Sequence, residues 1–183
     1  CLNNFNPECQ AVEAHIEELM QDANRKTMET VEKEPDLEGM GTTLTAACVR
    51  NGNVCWAHVG DSRLYLFRGD ELRQITEDDT MAGFLFSEGE LTREEARTHP
   101  GNKFVFQCIG GSGEFEADTG NFEVQAGDLL LFSTDGLHDE VPEAEIVSAL
   151  RSDKDLEEKT DDLLSAALAA GGKDNIALVM VEI

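Results

Sequence analysis

The sequence predicts an α+β fold, an antiparallel β-sandwich flanked by helices, in a single domain over residues 1–183. Three observations predict it: a long amphipathic helix opens the chain, short strands joined by tight turns follow, and two further helices precede a last strand. With 183 residues, 40 % of them hydrophobic, the chain can bury one substantial core. We find no linker, repeat or low-complexity stretch that would divide it.

The first predicted element is a helix over residues 10–33. Its apolar positions recur at gaps of three and four and so form one helix face: Val12, Ile16, Leu19, Met20, Ala23, Thr27 and Val31. The helix ends before Pro35, because the residue that precedes a proline disfavours helical geometry.

A β-meander follows and predicts an antiparallel sheet. Asn51-Gly52 is a strong hairpin signal between strands 42–50 and 54–59. Strand 64–67 then turns at Arg68-Gly69-Asp70 into strand 72–76.

Residues 77–103 interrupt this rhythm with a polar segment that predicts a surface flap. Within the flap, Thr92 and Glu95 have the spacing of a capping box, which opens a short helix that ends near Pro100. The remaining predicted elements are strands 104–109, 121–124 and 129–133, a helix starting at Pro142, a helix over 156–170 and a final strand over 176–183.

The charge of the chain restricts its partners. The net charge of −24 comes from 38 acidic and 14 basic residues, and it repels nucleic acid and anionic membrane surfaces. A phosphorylated substrate would also be repelled unless bound cations invert the local field. We therefore expect neither nucleic acid nor membrane as a partner, and a basic protein as the more compatible one.

The five cysteines have no metal-binding spacing. Cys48 and Cys55 lie opposite each other across the Asn51-Gly52 turn, at a hydrogen-bonded pair where Cα atoms are further apart than at the alternate positions. We interpret the cysteines as reduced core thiols of a cytoplasmic protein.

Three aspartates stand where apolar strands begin or end. Asp135 follows the run 129–132, Asp174 precedes the run 176–181, and Asp61 follows strand 54–59. Carboxylate oxygens in such positions are the ligands that Mg²⁺ and Mn²⁺ prefer. Asp135 and Asp174 together therefore indicate a divalent-metal site, and Asp61 a further ligand.

Each aspartate also has a purely structural interpretation. Asp135 can cap the turn that follows it, and Asp174 can form an Asp-Asn turn with Asn175. Asp61 can form a buried ion pair with Arg63, which would share its strand face.

His138 lies near the predicted site but is a weak candidate for acting on a substrate. No nucleophile with a matched base stands out, which favours a metal-activated water.

Four short motifs occur in an order that resembles the metal-dependent protein phosphatases, the type 2C serine/threonine phosphatases, in their compact bacterial form. The resemblance runs from about residue 10 to the end of the sequence and rests on Gly39-Met40-Gly41-Thr42-Thr43, Ala57-His58-Val59-Gly60-Asp61-Ser62-Arg63, Ser133-Thr134-Asp135-Gly136-Leu137 and Lys173-Asp174-Asn175.

The resemblance implies a phosphoserine and phosphothreonine phosphatase with α-β-β-α layers and two or three Mn²⁺ or Mg²⁺ ions. Asp135 and Asp174 match two metal ligands of the family, and Asp61 matches a ligand that shares a third metal with the Asp135 position. The flap is expected to influence substrate choice. A phosphorylated protein would be the substrate of a monomeric, cytoplasmic enzyme.

The sequence departs from the family pattern at its beginning. Family members carry two strands before the first helix, and the second ends in Asp-Gly-x-Gly-Gly, whose Asp bridges two metals; neither strand is in this sequence. The alternative hypothesis is therefore a catalytically incomplete phosphatase fold that acts as a regulatory or interaction domain.

Overall fold

The computed structural model describes residues 7–111 and 115–183. Its helices and strands follow one another in the order α1 (Pro7–Lys33), β1 (Leu44–Arg50), β2 (Asn53–Val59), β3 (Arg63–Arg68), β4 (Glu71–Gln74), α2 (Met81–Ser87), α3 (Arg93–Thr98), β5 (Asp118–Glu123), β6 (Leu129–Ser133), α4 (Asp135–His138), α5 (Glu143–Arg151), α6 (Leu156–Ala169) and β7 (Leu178–Glu182). Short 3₁₀ turns lie at Pro35–Leu37 and Pro100–Lys103.

The chain divides into two compact units. Unit 1 consists of the described parts of Cys1–Gly60 and Phe104–Val124, and unit 2 consists of Asp61–Lys103 and Gln125–Ile183. Both contain helices and an antiparallel sheet, which confirms the predicted α+β class.

In unit 1, helix α1 packs on a three-stranded antiparallel sheet with strand order β1-β2-β5. Asn51 and Gly52 both have positive φ, 51° and 73°, as expected for the predicted two-residue hairpin turn. Met20 on α1 is buried against Ala57 and Val59 of β2. Leu19, which we placed on the same helix face, is 55 % exposed.

In unit 2, four strands form an antiparallel sheet in the order β4-β3-β6-β7. Strand β6 is almost wholly buried, as its run of apolar residues predicted. Its side chains join a core with helices α4, α5 and α6, which contribute Leu137, Ile146, Leu150 and Leu163. This core fixes the ends of β6 and β7, where the strand-end aspartates lie.

The predicted meander is not one sheet. Strand β2 pairs with β1 and β5, whereas β3 pairs with β4 and β6. Gly60 follows β2 with a φ of 107°, a left-handed conformation that turns the chain without forming a two-residue hairpin. The chain consequently leaves one sheet and starts another at this glycine.

Two predictions about residues 77–109 need correction. Residues 104–109 form no strand; within the described residues Ile109 makes only an isolated bridge with Thr42, and Phe104 is 66 % exposed. Helix α2 was not predicted, because we interpreted its region as polar, although Thr80 caps it by accepting from Gly83 N. Helix α3 and its Thr92–Glu95 capping box are confirmed.

The prediction of reduced thiols is wrong for two cysteines. Cys48 does lie opposite Cys55, but Cys55 is disulfide-bonded to Cys9 of α1, with a Cα–Cα distance of 5.4 Å in the usual disulfide range. The helix brings Cys9 over β2, a contact that strand spacing alone could not reveal. Cys48 and Cys108 are free thiols, and Cys1 lies outside the described residues.

Among the described helices, none combines the length and the apolar character needed to cross a membrane.

Candidate metal centre

Asp135 lies at the junction between a buried strand and a short helix. Strand β6 ends at Ser133, Thr134 is the N-cap, and Asp135 is the first residue of α4. Its Oδ1 accepts a hydrogen bond from Gly136 N at 2.8 Å. The carboxylate is thus held at the end of β6, partly by the turn contact that the structural interpretation anticipated.

Asp174 reaches the same place from the neighbouring strand. Strands β6 and β7 are adjacent and antiparallel, with Ser133 opposite Leu178. Thr134 ties the two segments together, because its Oγ1 donates to Asn175 O at 3.1 Å and accepts from Ala177 N at 3.0 Å. The expectation that the strands flanked by these two aspartates are sheet neighbours is confirmed.

Gly136 allows the two segments to approach closely. A Cβ at this position would lie 2.5 Å from Asn175 O and 3.0 Å from its carbonyl carbon. Since backbone atoms cannot move aside as a flexible side chain can, only glycine fits here without displacing the loop that carries Asp174.

The electrostatics show that the charge of Asp174 acts on Asp135. Burial raises the pKa of Asp135 above its ordinary value, and the negative charge of Asp174 raises it further. The hydrogen bond from Gly136 N and the charge of Arg63 oppose this rise. Two carboxylates in this relation favour a shared cation.

Two more aspartates belong to the same acidic cluster, which we define as Asp61, Asp135, Asp139 and Asp174. Burial, followed by the charges of Asp135 and Asp78, raises the pKa of Asp61 to about 6. Burial also raises the pKa of Asp139 to about 6; Arg63 lowers it, and Asp135 raises it. Asp139 was not among the ligands predicted from the sequence, although it stands four residues after Asp135, a spacing that puts two residues on one helix face.

Arg63 forms its ion pair with Asp78 and not with Asp61. Arg63 Nε donates to Asp78 Oδ1 at 2.8 Å and Nη2 donates to Oδ2 at 2.6 Å. Arg63 Nη1 donates to the Tyr65 hydroxyl at 3.0 Å. The structural alternative of a buried Asp61–Arg63 pair is therefore not realised, and the Asp61 carboxylate remains available to a cation.

The flap contributes a backbone contact to the cluster. Arg97 Nη1, on helix α3, donates to the main-chain oxygen of Asp139 at 2.7 Å. Asn102 Nδ2 lies 3.5 Å from Asp139 Oδ1. Residues of the predicted flap thus support the position of one member of the acidic cluster.

His138 is a buried, neutral residue. Its Nδ1 lies 3.0 Å from Ser133 Oγ, and burial lowers the pKa of its imidazole well below the ordinary value, with the charge of Arg63 acting in the same direction. A role in proton transfer at neutral pH is thereby disfavoured, in agreement with its weak standing in the sequence analysis.

The donor set fits a hard divalent cation. The cluster offers only carboxylate oxygens, the ligands of Mg²⁺ and Mn²⁺. Across residues 7–111 and 115–183, no group of three or more His, Cys, Asp or Glu side chains is arranged to hold a metal ion. Mg²⁺ usually keeps several waters and binds through one or two carboxylates, so a pair such as Asp135 and Asp174 suffices chemically.

Comparisons with known proteins agree on one kind of enzyme. The profile of the protein phosphatase 2C family matches residues 2–179. The serine/threonine phosphatase stp of Listeria innocua is 40 % identical over 171 residues, which are 93 % of this chain and 68 % of that protein.

Solved structures give the same result. The crystal structure of serine/threonine phosphatase Stp1 from Staphylococcus aureus has a TM-score of 0.90 at 31 % identity, covering 98 % of this chain and 70 % of that one. The catalytic domain of the serine/threonine protein phosphatase PstP, in complex with two manganese ions, has a TM-score of 0.77 at 40 % identity, covering 87 % and 66 %.

Proposed function

The chain belongs to the protein phosphatase 2C family and is a metal-dependent phosphoprotein phosphatase, in which we propose that Asp135, Asp174 and Asp61 hold the metal ions. The observation that carries the assignment of residues is that Asp135 and Asp174 lie at the adjacent ends of β6 and β7, where the negative charge of Asp174 raises the pKa of Asp135. Asp139 joins them as a fourth candidate ligand.

The chemistry follows from what these residues can and cannot do. Bound Mn²⁺ or Mg²⁺ lowers the pKa of water and offsets negative charge on phosphoryl oxygens. The chain supplies the carboxylates that select and orient such ions, and Gly136 keeps two of them together. Arg63 stays engaged with Asp78, so it shapes the cluster electrostatically without neutralising Asp61.

The proposed ligands are tested by Mn²⁺-dependent hydrolysis of p-nitrophenyl phosphate. Asp135→Asn and Asp174→Asn each remove a negative oxygen while keeping the side-chain shape, and we expect activity to fall about 100-fold or more, the loss of roughly 2.7 kcal/mol of transition-state stabilisation. Circular dichroism of both variants checks that the fold is retained.

Asp70→Asn is the matched control. Asp70 is an exposed carboxylate of the same unit that lies in the turn between β3 and β4 and pairs with Arg151 at 2.9 Å. Its variant should keep wild-type activity. Full activity in Asp135→Asn and Asp174→Asn would refute the assignment, and Mn²⁺ titration by calorimetry would then locate binding elsewhere.

The substrate and the organisation of the chain are further parts of the proposal. We infer a phosphorylated protein with basic residues near the phosphate, because the net charge of −24 favours cationic segments.

The family match crosses both units, which supports one phosphatase domain over residues 1–183. The monomeric state, the cytoplasmic location and the role of the flap in substrate choice stay predictions.

A further inference from the structure

Unit 2 contains a cavity of about 250 Å³ whose lining differs from that of the acidic cluster. Part of the lining is apolar: Tyr65, Val141 and Ile146 are each at most 3 % exposed, and Leu72 packs against the same core. Because such walls offer water few hydrogen bonds, an apolar ligand group that displaces water from them is favoured.

The cavity lining contains three arginines, Arg63, Arg93 and Arg97, against two glutamates, Glu94 and Glu143, although the chain as a whole is strongly acidic. The exposure of the arginines is graded, from 13 % for the Arg63 side chain to 47 % for that of Arg93, so one guanidinium lies deep and another lies at the mouth.

Arg93 is the arginine with capacity for a ligand. The Arg63 and Arg97 guanidinium groups are each bound in a fork by a carboxylate, Asp78 and Glu94 respectively. Arg93 is held more loosely: Nη1 donates to Gln74 Oε1 at 2.9 Å, Nε forms a single ion-pair contact with Glu143 at 3.5 Å, and the guanidinium lies 5.3 Å from the centroid of the Phe86 ring. A guanidinium has five N–H donors, so Arg93 keeps several for another acceptor.

We propose that this cavity binds a small carboxylic acid with an aromatic or branched apolar body. The apolar body would pack against Tyr65, Val141 and Ile146, and the carboxylate would face Arg93, whose planar fork matches two carboxylate oxygens. A phosphate dianion is disfavoured more strongly than a monocarboxylate, because Glu94 and Glu143 also line the cavity and repel two charges more than one. The volume lies below the usual range for drug-sized ligands, which limits the acid to a small one.

The test is calorimetric titration of the full chain with phenylacetate in the presence of EDTA. EDTA removes metal ions to which the carboxylate could otherwise bind, so the result does not depend on the proposed phosphatase centre. Phenylacetamide has the same shape without the charge and should bind about tenfold more weakly or not at all. Inorganic phosphate, which lacks the apolar body, should not compete.

Two variants and a control locate the binding. Arg93→Gln removes the exposed guanidinium and should weaken phenylacetate binding about tenfold or more. Leu72→Trp fills the cavity and should abolish binding. Arg151→Gln removes an exposed arginine of the same unit that does not line the cavity, and it should bind like the wild type.

Three results would overturn the proposal: no binding of phenylacetate to the wild type at millimolar concentration, equal binding of phenylacetamide, or unchanged affinity in Arg93→Gln. Arg93→Gln alters a half-exposed side chain and leaves the core intact, so it decides the question even where Leu72→Trp fails to fold.

Discussion

The aspartates at the two ends of the four-stranded sheet in unit 2 have opposite surroundings. At one end, Asp128 is 1 % exposed and fully partnered, since Arg68 donates to both of its oxygens at 2.8 and 2.6 Å and Gln125 N donates at 2.9 Å. At the other end, Asp61, Asp135 and Asp139 are partly buried beside one another.

The pKa values report this difference. The hydrogen bonds from Arg68 lower the pKa of Asp128, whereas burial and neighbouring carboxylates raise those of Asp61 and Asp139 to about 6. A carboxylate that already has its cation stabilises the fold. A group of carboxylates without one destabilises it, and such a group is what a metal-binding site requires before the metal arrives.

The largest expected effect is on the response to metal. Saturating Mn²⁺, at about 100 times its dissociation constant, should stabilise the wild type by about 2.7 kcal/mol and raise its Tm by roughly 5–10 °C. In EDTA, Asp135→Asn should be as stable as the wild type or more so, because it removes a repelling charge. Mn²⁺ should add almost nothing to the stability of this variant. If Mn²⁺ stabilised the variant as much as the wild type, Asp135 would not be a metal ligand, and the two ends of the sheet would not differ in this way.

A smaller effect is expected at the other end. Asp128→Asn leaves Arg68 without its carboxylate and should destabilise the protein by about 1–3 kcal/mol, with or without Mn²⁺. Chemical denaturation measures this. Asp70→Asn breaks an exposed Arg–Asp pair and should cost about 0–1 kcal/mol. If the two variants were equally stable, Asp128 would not be the structural carboxylate that we describe.

The smallest effect is on the pH dependence of stability. The pKa of Asp128 is lower in the folded state than its ordinary value of 3.8, so its stabilising contribution is complete above that value and is lost as the pH falls below it. In EDTA, the stability gap between the wild type and Asp128→Asn should therefore narrow between about pH 4 and pH 2. A gap that widened on acidification would contradict the sign of this shift.

Much of the fold was predictable because its signals are local. Asn51-Gly52, the Thr92–Glu95 capping box and the apolar run of β6 each specify their element within a few residues. The placement of β2 and β3 in different sheets was not predictable, because it depends on their pairing with strands β5 and β6, which come later in the chain. The run 104–109 looked like a strand but, among the described residues, makes only isolated bridges and no strand ladder.

The acidic cluster was predictable in part for the same reason. Asp135 and Asp174 were found from their position at strand ends, and the pairing of β6 with β7 brings them together. The partner of Arg63 was not predictable, since Asp78 is fifteen residues away and reaches it only through the flap. Asp139 had a usable signal, its position four residues after Asp135, but it lies at the end of a helix and not at the end of a strand.

Gly136 makes the acidic cluster depend on the absence of a single methyl group. Even alanine at this position would press on the backbone of Asn175 and move the segment that carries Asp174. The cluster can thus be taken apart without changing the charge of any residue in it. Substitution at Gly136 therefore changes the distance between the carboxylates while leaving their number unchanged. Variants that must keep metal binding have to keep glycine at this position.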